Sequence, residues 1–352
     1  MKRLVQVLAG IAISAAALWL TLRGKDLAAI WQAIVQADHR WIAPFLLILG
    51  VIHLLRTWRY GVLLEPVAKV PFARLNAVCA VGFMALIALP FRLGEFARPY
   101  LVAQRGTLRV SAALSSVVVE RVADGLFTAV LLLVTLLGVP EGTPGRTVLR
   151  GAGVIVFVVF ASLLAFLVLA SKNRELAVRI TGAVLGPISK RLADRMSGMM
   201  DAFIHGLRLV PNRGKVALFF GLTLAYWGLN ALGMSVLARG FGIHLGALAS
   251  FTVLGVLVVG VMIPAGPGMV GTFQAAVILG LSLFVPASTL NVQGAAYANV
   301  LWALQVAQQL AFGLVFLFSR HIRFGELFAA KEVEAELEDE EREYRAEGTG
   351  SR

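Results

Sequence analysis

The sequence predicts an all-α polytopic membrane protein with six full spans plus two re-entrant helical hairpins in an inverted repeat; eight full spans is the alternative. Three observations predict it. The 352 residues are 59% hydrophobic and only 15% charged, against about 25% charged in a soluble domain. The apolar residues fall in long uninterrupted runs, without the strand-sized alternation of a membrane barrel. Basic residues crowd some of the short loops and are sparse in others, which assigns each run a direction.

The first run, residues 4–22, follows Met1-Lys2-Arg3. Ala15-Ala16-Ala17 would suit a signal-peptide cleavage site, but the run continues through Leu18-Trp19-Leu20 and more membrane segments follow, so it reads as an uncleaved first span. Residues 41–55 form the second span, with Trp41 and Trp58 suited to the two interfaces and Arg56, Arg59, Lys69 and Arg74 marking the cytoplasmic side. Residues 72–89 are apolar again and lead into the charged segment around Arg92. The runs 110–139 and 148–170 flank a weakly charged loop, and the second of them ends at the most basic loop, residues 172–215, which should be cytoplasmic. Working back from that loop, residues 72–105 must enter and leave by one face, as a re-entrant hairpin bent near Pro90. Such backbone is allowed at membrane depth where protein or a watery cavity covers it.

Residues 174–210 place hydrophobics near helical spacing, as in an amphipathic helix pair at the cytoplasmic surface. Residues 216–237 span back out. Residues 248–263 and 275–285 are apolar arms around Pro264-Ala265-Gly266-Pro267-Gly268-Met269-Val270-Gly271-Thr272-Phe273-Gln274. The last span, 295–318, ends at Arg320, His321 and Arg323, so the segment before it must start and finish outside, as a second hairpin from the opposite face. The expected organisation is a single transmembrane domain over residues 1–325, with inverted halves at about 1–139 and 148–323, and an acidic cytoplasmic tail over 326–352. Both termini are then cytoplasmic.

The formal net charge is +12, although residues 331–352 carry nine acidic and four basic residues. The remaining excess lies in short loops between apolar runs, so sidedness and anionic headgroups explain it better than nucleic acid. Residues 174–210 also lack the aromatic interleaving of a base-stacking surface. The lone Cys79 excludes an internal disulfide.

Arg92, Glu95 and Arg98 are spaced three apart, so a helix aligns them on one side. Two arginines suit bidentate phosphate contacts, with Glu95 holding them when no anion is bound; a salt-bridge set that only shapes the bend is the alternative. Glu120, Arg121 and Asp124 interrupt the next run. An intramembrane charge costs on the order of 3 kcal/mol by insertion scales, so they need partners or water. The hairpin arginines are the obvious partners, Arg121 and Asp124 are also spaced to pair, and a buried structural ion network is the alternative. In the second loop, Gly266, Gly268 and Gly271 let lipid or backbone approach closely, a helix starting near Met269 would offer its N-terminus to an anion, and Gln274 adds a donor. The loop has no P-loop lysine, which excludes a nucleotide site; a simple gap between helices is the other reading. His53 and His205 read as interface residues, and Asn230, Gln305, Gln308 and Gln309 as bonds between helices. No His, Cys and carboxylate set has metal spacing, no cofactor is expected, and no serine has a triad context, so no catalytic residue is assigned.

Pro90-Phe91-Arg92-Leu93-Gly94-Glu95 with Arg98, Glu120-Arg121 with Asp124, and residues 264–273 together resemble the membrane domain of lysylphosphatidylglycerol synthase/flippase proteins and the stand-alone flippase-like family built on it. The resemblance covers roughly residues 4–323. It implies a protein of the bacterial or archaeal cytoplasmic (inner) membrane that moves a lipid or lipid-linked headgroup between leaflets. Two-domain relatives add a soluble aminoacyl-transfer domain; this chain ends in its short tail, so lysine transfer to lipid is not expected. Where the family expects an acidic residue after the aromatic of the second loop, this chain has Gln274.

The expected partner is therefore a membrane lipid with an anionic headgroup. Two other classes stay open. One is an intramembrane enzyme acting on a lipid phosphate or glycosyl carrier, with Glu120 or Asp124 as acid/base. The other is a non-catalytic subunit of an envelope-synthesis complex, docked through the basic loop, or a homo-oligomer.

Overall fold

The computed structural model describes residues 12–19, 21, 23–89, 94–103, 110–185, 187, 213–263 and 265–318. The expectations for Arg92, for the bend at Pro90, for Pro264, for the second half of the amphipathic pair and for the tail lie outside the described residues.

Asp26 accepts a hydrogen bond from the Ala29 amide at 3.0 Å and so caps a helix over Leu27–Gln36, α2, which follows the helical segment α1 (residues 12–19). Asp38 accepts from the Arg40 amide and opens the single turn His39–Trp41, which leads into α3 (Ile42–Leu64). Pro71 precedes α4 (Phe72–Ala88), which stops where Leu89 turns extended, as the residue before a proline tends to do. A short α5 (Ala97–Ala103) returns toward α6 (Val110–Leu137). Gly145, at φ 85°, starts α7 (Arg146–Lys172), and Asn173, whose side chain accepts from the Leu176 amide, separates it from α8 (Arg174–Leu185). The second half holds α9 (Arg213–Arg239), α10 (Ala247–Gly260), a turn over Pro267–Met269, α11 (Thr272–Leu281) and α12 (Ala295–Leu317).

Four helical stretches are long and apolar enough to cross a membrane: His39–Leu64, Arg146–Lys172, Arg213–Arg239 and Ala287–Leu317. They correspond to four of the runs read from the sequence. The 28 residues of α6 reach about 42 Å at 1.5 Å per residue, but every 18-residue stretch of it contains Glu120, Arg121 and Asp124. The arms of the two Pro/Gly-broken regions are shorter: 17 residues in α4, 7 in α5, 14 in α10 and 10 in α11. α7 is peripheral, with 11% of its most apolar window buried against 33% for α9.

The packing is reciprocal. α3 and α9 lie against each other. α4 pairs with α5 and α10 with α11; α5 packs on α6 and α11 on α12. The last long helix of each half covers the broken segment of the other, α12 against α4 and α6 against α10. One core joins α3, α9, α10, α11 and α12, with Phe45, Met234, Val253, Val277 and Leu301 at its centre; a second joins α3, α4, α5 and α6 around Tyr60, Cys79, Val102 and Val117.

α11 begins at Thr272, three residues later than expected from the sequence. The intervening residues form a tight turn in which Gly268 and Met269 have φ of 69° and 54°. Those left-handed angles end the turn before the helix can start.

Candidate functional site

The cluster is built on α6. Glu120 and Asp124, one helical turn apart, point to the same side. Arg98 of α5 donates from Nη1 to Glu120 Oε2 at 2.9 Å, with both side chains at least 98% buried. Arg59 of α3 donates from Nη2 to Asp124 Oδ1 at 2.5 Å, and Trp227 Nε1 of α9 donates to the same oxygen at 3.3 Å. Arg121 lies 3.9 Å from Glu120 Oε1 and is about one-third exposed. Of the residues singled out from the sequence, Arg98, Glu120, Arg121 and Asp124 thus meet in one place.

The expected pairing of Arg121 with Asp124 is not the one formed. Asp124 points across to α3, where Arg59 reaches it in the buried interior, whereas Arg121 lies toward the rim and faces Glu120.

Besides Trp227, Arg59 is a site residue that sequence reasoning missed. It follows the apolar stretch of the second span, and an arginine there reads as a boundary charge. α3 instead continues to Leu64 and carries Arg59 inward, to full burial. A signal was present: His53, Arg56, Thr57 and Tyr60 fall at i, i+3, i+4 and i+7, a polar stripe on one face. That stripe meets α4, where Asn76 Oδ1 sits 2.9 Å from His53 Nε2 and accepts from Thr57 Oγ1 at 3.2 Å.

Aromatic faces complete the surroundings of the cations. The Arg56 guanidinium lies 3.8 Å from the Phe83 ring centroid. Arg98 lies over Tyr60 at 5.1 Å and Phe83 at 4.8 Å, and Arg59 over Phe219 and Tyr226 at 5.1 and 4.9 Å. Such faces stabilise a desolvated guanidinium by about 0.5–2 kcal/mol each. Several donors nevertheless stay without a hydrogen-bond partner: Nε of Arg56, Nε and Nη1 of Arg59, the Tyr60 hydroxyl and Nε of Arg121.

Two glycines let α5 bring Arg98 this close. A Cβ on Gly94 would collide with the α4 backbone at Ala85 and Leu86, and one on Gly82 would collide with the Arg98 side chain itself. Glu95, beside them, is half-buried.

The second loop is a separate locus. The Gly266 amide donates to Ser14 Oγ at 2.9 Å, the Gly268 carbonyl accepts from Trp302 Nε1 at 2.8 Å, and the Gly271 amide donates to Gln274 Oε1 at 2.8 Å. Gln274 Nε2 donates to Asn299 Oδ1 at 3.4 Å. Gln274 therefore caps its own helix and ties it to α12. The Pro267–Met269 turn packs on α4, so the two broken segments adjoin. Among the described residues no hydrogen bond or ion pair joins Gly266, Gly268, Gly271 or Gln274 to the α6 cluster. Asn230, expected to link helices, bonds the Tyr226 carbonyl of its own helix.

An apolar groove of about 480 Å³ runs between α6, α7 and α9. Val119, Leu126, Leu167 and Phe220 line it, with Ser115, Ser116 and Ser171 also in its wall. Phe219 forms part of the wall and also carries the Arg59 guanidinium, so groove and ion cluster share one aromatic partition. Among the described residues no group of three His, Cys, Asp or Glu side chains could hold a metal ion.

The chain belongs to the family described as the lysylphosphatidylglycerol synthase TM region, whose model matches residues 7–319. No curated protein and no solved structure matches the chain. It is accordingly an integral membrane protein of a lipid-related family.

Proposed function

From that membership we propose that the protein moves an anionic lipid, or the headgroup of a lipid-linked intermediate, between the leaflets of the cytoplasmic membrane. The observation that carries the reading is the pair of buried bridges, Arg98–Glu120 and Arg59–Asp124, set one turn apart on α6. A phosphate entering from the rim at Arg121 can take up donors that the bridges leave without a partner, because arginine offers a planar fork to a second acid. Both bridges stay closed meanwhile, which avoids the several kcal/mol of a bare buried charge. Acyl chains stay in an apolar setting, for which the adjoining groove is suited, while the headgroup crosses. The protein is a transporter, not an enzyme, and its partner is the lipid.

The topology that fits this use is six full spans plus two re-entrant hairpins, the halves inverted. Helix arms of 7 to 17 residues reach about 10–26 Å, short of the roughly 30 Å hydrocarbon core. The reciprocal packing of α12 on α4 and α6 on α10 supports the repeat. Both termini then face the cytoplasm.

The test uses purified protein in proteoliposomes carrying a fluorescent anionic phospholipid, with inner-leaflet label counted by its protection from a membrane-impermeant quencher. Arg98→Gln should lower the rate of movement by about tenfold or more, one lost charge-assisted contact being worth at least 1.4 kcal/mol. A correctly folded Arg98→Gln protein that moves lipid at the wild-type rate refutes the reading.

A further inference from the structure

The cluster is unbalanced, and the imbalance specifies the ligand's charge. Arg56 lies in the field of both Arg98 and Arg121, and Arg59 shares the field of Glu120 and Asp124. Among the described residues that makes four guanidiniums against two carboxylates in this cluster, with the surplus carried by the partly exposed Arg56 and Arg121. Elsewhere, two described cations each meet one carboxylate: Lys215 meets Glu65, and Arg146 meets Glu141 at 3.3 Å. The surplus coincides with the unpartnered donors, namely Nε of Arg56 and Arg121, Nε and Nη1 of fully buried Arg59, and the hydroxyl of fully buried Tyr60. Both bridged arginines thus keep charge-assisted contacts with carboxylates, while the remaining donors of Arg59 and those of its neighbours are still in need of acceptors.

We propose that the α3–α5–α6 cluster binds a terminal phosphate group bearing two negative charges, a phosphomonoester or diphosphate end, in preference to the single negative charge of a phosphodiester headgroup. The inference rests on the transport reading for its site and adds the valence of the group that occupies it. A phosphomonoester carries about −1.5 to −2 at neutral pH and presents three acceptor oxygens, whereas a phosphodiester carries about −1. Only the former cancels a surplus of two without displacing Glu120 or Asp124. It also supplies acceptors for donors on α3 and α6 together. The shared chemistry is the dianionic phosphate, whether it ends a lipid or is a free ion.

The experiment measures binding to the full chain in phosphatidylcholine nanodiscs doped either with phosphatidic acid or with phosphatidylglycerol, read by the shift in thermal unfolding and by a fluorescent analogue of each. Phosphatidic acid should bind about tenfold or more tighter than phosphatidylglycerol. Arg56→Gln removes one surplus charge that takes part in neither bridge, and should reduce phosphatidic acid binding about tenfold more than phosphatidylglycerol binding. Arg121→Gln, on a different helix, should reproduce that narrowing and so guards against a local folding defect. Equal binding of the two lipids by the wild type, or an equal loss of both in folded Arg56→Gln, overturns the proposal. Displacement of phosphatidic acid by inorganic phosphate would keep the dianion site and assign it to a soluble ion; failure to displace it assigns the site to the lipid. A phosphatidic acid preference without lipid movement would sink transport and leave this inference standing. Movement of both lipids at equal affinity would do the opposite.

Discussion

Removing Arg98 while leaving Glu120 in place is the most informative perturbation of the fold. In Arg98→Met the apolar stem is kept to about the reach of Nε, while the guanidinium that lies over the Tyr60 and Phe83 rings is removed. The Glu120 carboxylate, 1% exposed, then keeps Arg121, at 3.9 Å, as its one ion-pair partner among the described residues. Stranding one member of a buried bridge costs about 3–5 kcal/mol. Relief of the repulsion between Arg98 and its neighbour Arg56 offsets part of this, and the expected net loss is about 3 kcal/mol. Glu120→Gln keeps an acceptor for Arg98 and should cost about 1–3 kcal/mol. The double variant has neither charge stranded, so its loss should fall short of the sum by about 1–3 kcal/mol. Reversible unfolding of the four proteins in mixed micelles, followed by tryptophan fluorescence, gives the cycle. Additivity within about 0.5 kcal/mol would refute the reasoning, since it would mean that the two residues do not share a buried interaction.

Two other substitutions probe the broken segments. Gly94→Ala places a methyl against the backbone of α4 at Ala85 and Leu86, which cannot rotate away, and should destabilise the protein by about 1–3 kcal/mol in the same unfolding assay. Gln274→Ala removes the acceptor for the Gly271 amide at the start of α11; a loss of about 0.5–2 kcal/mol in unfolding, with lipid movement retained in the folded fraction, is expected of a cap, whereas loss of movement at unchanged stability would make Gln274 a ligand-facing residue.

The acidic pair on α6 was legible because carboxylates are costly in an apolar run, and Arg98 was legible because a charged, proline-flanked segment interrupts such a run. Both Pro/Gly-broken regions were located from the same kind of interruption. Arg59 and Trp227 were not, for a physical reason: they lie 65 and 103 residues from Asp124, and their meeting depends on the rotational phase of three helices. One sequence fixes the face a residue occupies on its own helix, but not which foreign face it meets. Gln274 illustrates the converse. Its residue type suggested a donor for a ligand, while its spacing from Gly271, three residues, matches a local cap, and the local bond is the one that forms.

The crossed cover of the two halves has a bearing on biosynthesis. α4 emerges from the ribosome more than two hundred residues before α12, the helix that lies against it. The early half therefore waits with an unsealed face until α12 is made, and a product cut short before α12 would present that face to whatever surveys the membrane for unassembled segments.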